Sequence, residues 1–180
     1  GTSLCYPTSS IGSHVSVIPN HQVARITPFH TRANVAYFGT FGYELDFNEL
    51  PDRIIEKVKE QIAFMKEYRE VLQFGTFYRL KSPFETNEVV WMSVSEDQKT
   101  ALVGWYRILN GVNMPFSRVR LQGLNPDFVY VNSENGTEHY GDELMNLGLL
   151  TTDETAGSGP VEGKYTSDFD SRIYVLKAID

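Results

Sequence analysis

The chain has 180 residues, 41% of them hydrophobic and 13% aromatic, which excludes global disorder and suits one domain or one and a half. Its formal net charge of −7 argues against a nucleic-acid phosphate partner, and no apolar run reaches the length of a membrane-spanning helix. A single cysteine, Cys5, excludes an internal disulfide; with no charged start followed by an apolar stretch, the expected location is the cytoplasm.

In chain order, "SLCYP" at residues 3–7 predicts a short buried strand ended by Pro7. "SSIGSHVSVIPNHQ", residues 9–22, follows as a polar loop that sets Ser10, Ser13 and Ser16 among His14 and His21. A Ser-His nucleophile needs a base within hydrogen-bond reach and a third group to orient that base. Ser13 and His14 are sequence neighbours, which points their side chains apart, and "GSHVS" lacks the last glycine of a G-x-S-x-G elbow. The loop reads first as a turn whose short polar side chains bond backbone groups. Its second reading is support for a site whose chemistry lies elsewhere.

Thr27 as N-cap and Pro28 at the first helical position predict a helix through "PFHTRANVAYF". "YELDF", residues 43–47, predicts a short strand on which Glu44 and Asp46 share a face. Two carboxylates there fit either a glycosidase pair or an anion cluster ahead of the next helix, and the pattern favours the cluster. A helix over 51–74 is the clearest element. Ile54, Ile55, Val58, Ile62, Met65, Val71 and Leu72 recur at three- and four-residue spacing, opposite Lys57, Glu60 and Glu67, and Gly75 stands at the C-terminal cap.

Beyond Gly75 the period becomes two. "NEVVWMSVSEDQKTALVGWYRIL" predicts two strands about a turn at Glu96–Lys99, with Val90, Met92 and Val94 on one face. "SRVRLQGL", "DFVYVN" and "SRIYVLKAI" predict further strands, and "TTDETAGSGPVEGKYTSD" a long loop. Such a run suggests an antiparallel sandwich. Trp91 and Trp105 read as core rather than sugar-stacking platforms, and the sequon Asn135-Gly136-Thr137 reads as a turn. His14, His21, His30 and His139 lack zinc-ligand spacing, so neither a metal nor another cofactor is expected. The fold class is thus α/β followed by all-β. Two strands and two helices cannot close a sheet, so the first ~75 residues need neighbours outside this sequence.

Four stretches, "YPTSSIGSHVSVIPNHQ", "RITPFHTRANVAYFGTFGYELD", "EQIAFMKEYREVLQFGTFYRL" and "YGDELMNLGL…DFDSRIYVLKA", together resemble the C-terminal part of family 36 glycoside hydrolases, the bacterial-type α-galactosidases. The resemblance runs in order along nearly the whole chain. It implies that residues 1–76 are the incomplete end of a catalytic (β/α)₈ barrel and residues 77–180 a C-terminal antiparallel β-sandwich. "SLCYP" then resembles the seventh barrel strand and "GTFGYELDF" the eighth. The family is a retaining hydrolase with a nucleophilic Asp in Lys-Trp-Asp and an acid/base Asp in Ser-Asp-x-x-Asp. Neither motif occurs in this sequence, so no catalytic residue is carried over. Ser9, Ser10 and His14, after the strand that resembles the seventh, become candidates for the rim of the galactose pocket or its support.

The implied partners are an α-galactoside oligosaccharide of the raffinose or melibiose type, the N-terminal remainder of the same polypeptide and, since many relatives are homo-oligomers, a second copy. The alternative is a non-catalytic carbohydrate-binding or scaffold sandwich.

Overall fold

The structure, a computed structural model, describes residues 2–111, 116–151 and 168–179. It divides into two compact units, Gly1–Gly75 and Thr76–Asp180.

In the first unit, 3₁₀ turns at Thr2–Leu4 and Thr8–Ser10 precede strand β1 (Val15–Ser16), helix α1 (Phe29–Ala36) and strand β2 (Tyr43–Glu44). A 3₁₀ turn at Phe47–Glu49 and helix α2 (Asp52–Phe74) follow. β1 and β2 pair in parallel, Val15 opposite Tyr43 and Ser16 opposite Glu44. The crossover through α1 makes this a βαβ unit followed by a helix.

The strand expected at 3–7 is not formed. Thr2–Leu4 is a 3₁₀ turn, and Leu4 and Tyr6 lie exposed. An extended segment needs a ladder partner, and among the described residues none aligns with it. The parallel strand is instead Val15–Ser16, inside the stretch read from sequence as loop. Helix α1 starts one residue later than expected, with Pro28 in the cap position and no side-chain cap, so Thr27 does not serve as one. The strand expected across 43–47 keeps only Tyr43–Glu44, because Asp46 Oδ1 turns to accept the Asn48 N–H (2.8 Å) and caps the short turn that follows.

Helix α2 spans Asp52–Phe74 as its periodicity predicts. Val58, Met65 and Leu72, two turns apart, form its buried line, while Lys57, Glu60 and Glu67 are exposed. Gly75 occupies the C-cap, but its φ of −67° is not left-handed, because the chain runs straight on into a strand. A different residue satisfies the helix end. The buried Thr8 donates its hydroxyl to Leu72 O (3.1 Å) and Gln73 O (3.2 Å), and Gln73 Nε2 donates to Gly39 O (3.2 Å). Thr8→Val keeps the shape and removes the donor. It should lower stability by about 1 kcal/mol, read as an earlier loss of helical circular dichroism on heating.

Aromatic rings tie the elements of this unit together. Tyr37 stacks on Phe41 (5.0 Å between centroids) and leans on Phe64 of α2 (4.8 Å), and Phe41 meets Tyr43 edge-on (5.4 Å). Burial pushes the Tyr37 hydroxyl far up and Tyr43 up to about 12, so both stay neutral across the physiological range.

The second unit contains β3 (Thr76–Lys81), β4 (Glu88–Val94), β5 (Thr100–Arg107), β6 (Arg118–Val119), β7 (Val129–Asn132), β8 (Glu138–Tyr140), α3 (Gly141–Asn146), β9 (Leu149–Leu150) and β10 (Ser171–Ile179). Six strands form an antiparallel sheet in the order β3-β4-β5-β10-β7-β8, and β6 and β9 form a small antiparallel sheet of their own. The core lies between them: Val90, Met92 and Val94 of β4 pack with Trp105, Tyr174 and Leu176 and with Val119, Leu121 and Leu149. The face predicted from the period of two is therefore the buried one. "SRVRLQGL" is a strand only at Arg118–Val119, although Leu121 and Leu124 still bury. The long loop expected over 151–168 falls, apart from its end residues, outside the described residues.

Candidate functional site

The resemblance placed Ser9, Ser10 and His14 after a strand. The structure places them before one. Ser9 and Ser10 sit in the 3₁₀ turn Thr8–Ser10, whose anchor is the neighbouring Thr8, and His14 immediately precedes β1. Ser13 and His14 do part, as expected: Ser13 packs its Cβ so closely on Gly39 that a side chain at position 39 would meet it at 2.6 Å. His14 turns to Glu44, with Nε2 2.6 Å from Oε2. The serines and histidine of residues 9–22 therefore form no nucleophile and base.

Glu44 and Asp46 do not act as a pair. Glu44 takes His14, whereas Asp46 accepts from Asn48 N and Asn48 Nδ2 (2.8 and 2.9 Å). Retaining glycosidase chemistry needs two carboxyl groups ~5–5.5 Å apart and free to reach one bond; a carboxylate spent on a cap is not free. Arg32 of α1 donates from its guanidinium to Ser16 O at the C-terminal end of β1 and lies over the Phe29 ring (5.1 Å). Burial lowers the Arg32 pKa, and its Nε is buried without a hydrogen-bond partner. Sequence reading missed both Arg32 and the His14–Glu44 contact, because each joins residues 16 or more positions apart that only the parallel pairing brings together.

The strand directions matter for function. In α/β barrels reactive groups come from the C-terminal ends of parallel strands and the loops after them. In this unit those are the ends at Ser16 and Glu44 and the segments 17–28 and 45–51. The first contains Asn20, whose Oδ1 accepts from Gln22 N and Val23 N (3.0 and 3.2 Å). Val17, Val23 and Ile26 are exposed along the same segment. Asn20, His21 and Gln22 carried no signal beyond polarity.

In the second unit neither tryptophan is a platform. Trp105 is 1% exposed and belongs to the core, under the guanidinium of Arg107 (4.7 Å). Trp91 is partly buried, leans on Tyr106 (4.8 Å) and donates its indole N–H to Tyr106 Oη (3.1 Å). Asn135-Gly136-Thr137 is a turn between β7 and β8, with Gly136 at a φ of +72°. Among the described residues no three His, Cys, Asp or Glu side chains gather as a metal site, and no helix is long and apolar enough to cross a membrane.

A family model described as Melibiase matches residues 1–75, and one described as the glycosyl hydrolase family 36 C-terminal domain matches residues 88–176. The α-galactosidase AgaA of Geobacillus stearothermophilus is 45% identical over 179 residues, which are 99% of this chain and 23% of AgaA. Its crystal structure superposes with a TM-score of 0.88 over 99% of this chain. A variant of it, solved in complex with raffinose, does so equally. The α-galactosidase structure from Lactobacillus brevis gives a TM-score of 0.90 at 41% identity, covering 99% of this chain and 24% of that one. The chain thus spans under a quarter of the length of these relatives. Matched along both of its units by adjacent models and at high identity by whole-chain alignment, the chain belongs to glycoside hydrolase family 36.

Proposed function

We propose that this chain is the C-terminal part of a longer retaining α-galactosidase that removes terminal α-linked galactose from oligosaccharides of the raffinose and melibiose type. The observation that carries the reading is the parallel strand–helix–strand–helix order of Gly1–Gly75. It has the alternating strand and helix order of a (β/α)₈ barrel but only two short strands, a sheet far too small to stand alone. On this reading β1 and β2 are the last two barrel strands, α2 is the closing helix, and Thr76–Asp180 is a C-terminal β-sandwich. The nucleophile and the acid/base belong to sequence upstream of these residues. The raffinose complex of the AgaA variant supports the substrate class.

His14 also precedes β1, but through its contact with Glu44, the last residue of β2, it remains a supporting residue of the sugar site on this reading. Ser9 and Ser10 lie at the opposite strand end and serve the turn that anchors α2. The buried Trp105 and half-buried Trp91 tell against the alternative of a free-standing sugar-binding sandwich, which needs an exposed aromatic platform.

The test is direct. The 180-residue chain alone should show no turnover of an aryl α-galactoside, whereas the same chain joined to its upstream sequence should hydrolyse it with retention. Turnover by the isolated chain overturns the assignment of both catalytic carboxyl groups to upstream sequence.

A further inference from the structure

The two faces of the β1–β2 pair are unlike. Val15 and Tyr43, opposite each other, turn toward the helices: Val15 is fully buried, and Tyr43 Oη donates to Gln61 Oε1 of α2 (2.8 Å). By the two-residue period, His14, Ser16 and Glu44 project from the other face. There the His14–Glu44 contact is closed at 2.6 Å, although half of the His14 side chain and 74% of that of Glu44 remain open. In a barrel the helices surround the outside, so the face turned away from them is the interior, which is filled by layers of side chains. Glu44 is the last residue of β2, at the end from which barrel active sites are built.

We propose that His14 and Glu44 are a positioning pair on the interior face of the barrel, and that the Glu44 carboxylate helps to keep the upstream acid/base residue protonated for its first proton transfer. The inference rests on the barrel reading above. A carboxylate enclosed by barrel walls acts over a longer range than one in water. A negative charge near a carboxylic acid disfavours its ionisation and raises its pKa. That is the direction a glycosidase acid needs in order to hold its proton near neutral pH. His14 fixes the carboxylate oxygen in place. Tyr43 and Asp46 flank Glu44 on its own segment, and Arg32 on α1 is held at Ser16 O, whose residue is the register partner of Glu44. Tyr43 is neutral and Asp46 Oδ1 is turned to Asn48, whereas the Glu44 carboxylate is held by His14.

The experiment uses the full-length protein and the pH dependence of kcat/KM on an aryl α-galactoside. Glu44→Gln should lower kcat roughly tenfold with KM little changed and move the basic limb to lower pH, because the acid loses the charge that keeps it protonated. His14→Gln retains the carboxylate; it should lower kcat while leaving the limb in place or moving it upward. The shape of the profile does not depend on the fraction of active protein, so partial misfolding does not mimic the shift. A basic limb unmoved in Glu44→Gln, or moved down equally in both variants, overturns the proposal. A wild-type protein without α-galactosidase turnover overturns the barrel reading instead, so the two failures are distinguishable.

Discussion

Glu88→Ala should destabilise the second unit by about 3 kcal/mol, the lower end of the effect of breaking a buried ion pair, because the remaining Lys81 keeps some access to water. Glu88 is 5% exposed on the core face of β4. Its Oε2 takes Lys81 Nζ and the Ser117 hydroxyl (3.0 Å), and Lys81 Nζ also donates to Ser117 Oγ (2.9 Å). Burial alone would raise the Glu88 pKa. The hydrogen bond and charge of Lys81, with help from Ser117 and the Trp105 indole, outweigh it and hold the carboxyl below its ordinary value. Neither Trp105 Nε1 nor Glu88 Oε1 completes a hydrogen bond of ordinary geometry, so Lys81 carries most of the effect.

A carboxyl depressed in the folded state stabilises above the unfolded-state pKa, and that contribution is lost as pH falls through the lower folded value. The gap in denaturation midpoint between wild type and Glu88→Gln should therefore be full at neutral pH and shrink in acid. Both tryptophans of the chain, Trp91 and Trp105, lie on strands of this unit, so indole fluorescence reports it selectively. The double substitution Lys81→Met with Glu88→Leu should recover most of the loss, since a buried pair replaced by apolar groups is often neutral. A gap that persists unchanged at low pH would show that Glu88 acts through packing, not through charge.

The long helix was legible because its signal is local: seven apolar side chains at helical spacing need no other segment to be recognised. The β4–β5 hairpin was legible for the same reason, with two alternating runs and a polar turn between them. Of the two parallel strands, Tyr43–Glu44 lay within the stretch read as a strand, whereas Val15–Ser16 lay in one read as a loop; each is only two residues long, and their pairing spans a helix. Misplacing the first of them by some ten residues inverted the position of Ser9 and Ser10 relative to the strand. The irregular motifs carried the family correctly while giving no strand direction, and the direction decides which end bears chemistry. The short β8 and α3 escaped for a related reason. "EHYGDELMN" has neither an apolar period nor a side-chain cap, and it is held by pairing to β7 and by backbone bonds to Pro126 and Phe128.

Gly141 shows that dependence most sharply, and Gly141→Ala should be among the most damaging single-methyl changes in the chain. Gly141 opens α3, and its φ lies outside the left-handed region, so backbone conformation does not demand a glycine there. Space does. A Cβ at this position would stand 1.9 Å from Asn125 O, and the neighbour is backbone, which cannot swing aside as a side-chain end would. The Asn125 carbonyl would have to retreat until that contact reached at least about 3.0 Å. Asn125 is not free to do so. Its N–H donates to Tyr130 Oη (3.0 Å), and Tyr130, fully buried, donates in turn to Gln98 O (2.6 Å) in the β4–β5 turn. Gly141 N–H is itself held by Phe128 O (2.9 Å) and Asp142 N–H by Pro126 O (3.2 Å), which pins the helix start to the same loop. Overpacking in a closed core typically costs 1–3 kcal/mol, and with backbone on both sides of the clash about 3 kcal/mol is expected. Gly12→Ala, where an added methyl meets nothing within 4 Å, should by comparison stay within about 0.5 kcal/mol of wild type. Thermal melting of the three proteins checks the contrast. Equal melting temperatures for Gly141→Ala and Gly12→Ala would mean that the 125–128 loop yields easily, and that the Asn125–Tyr130–Gln98 chain does not fix it.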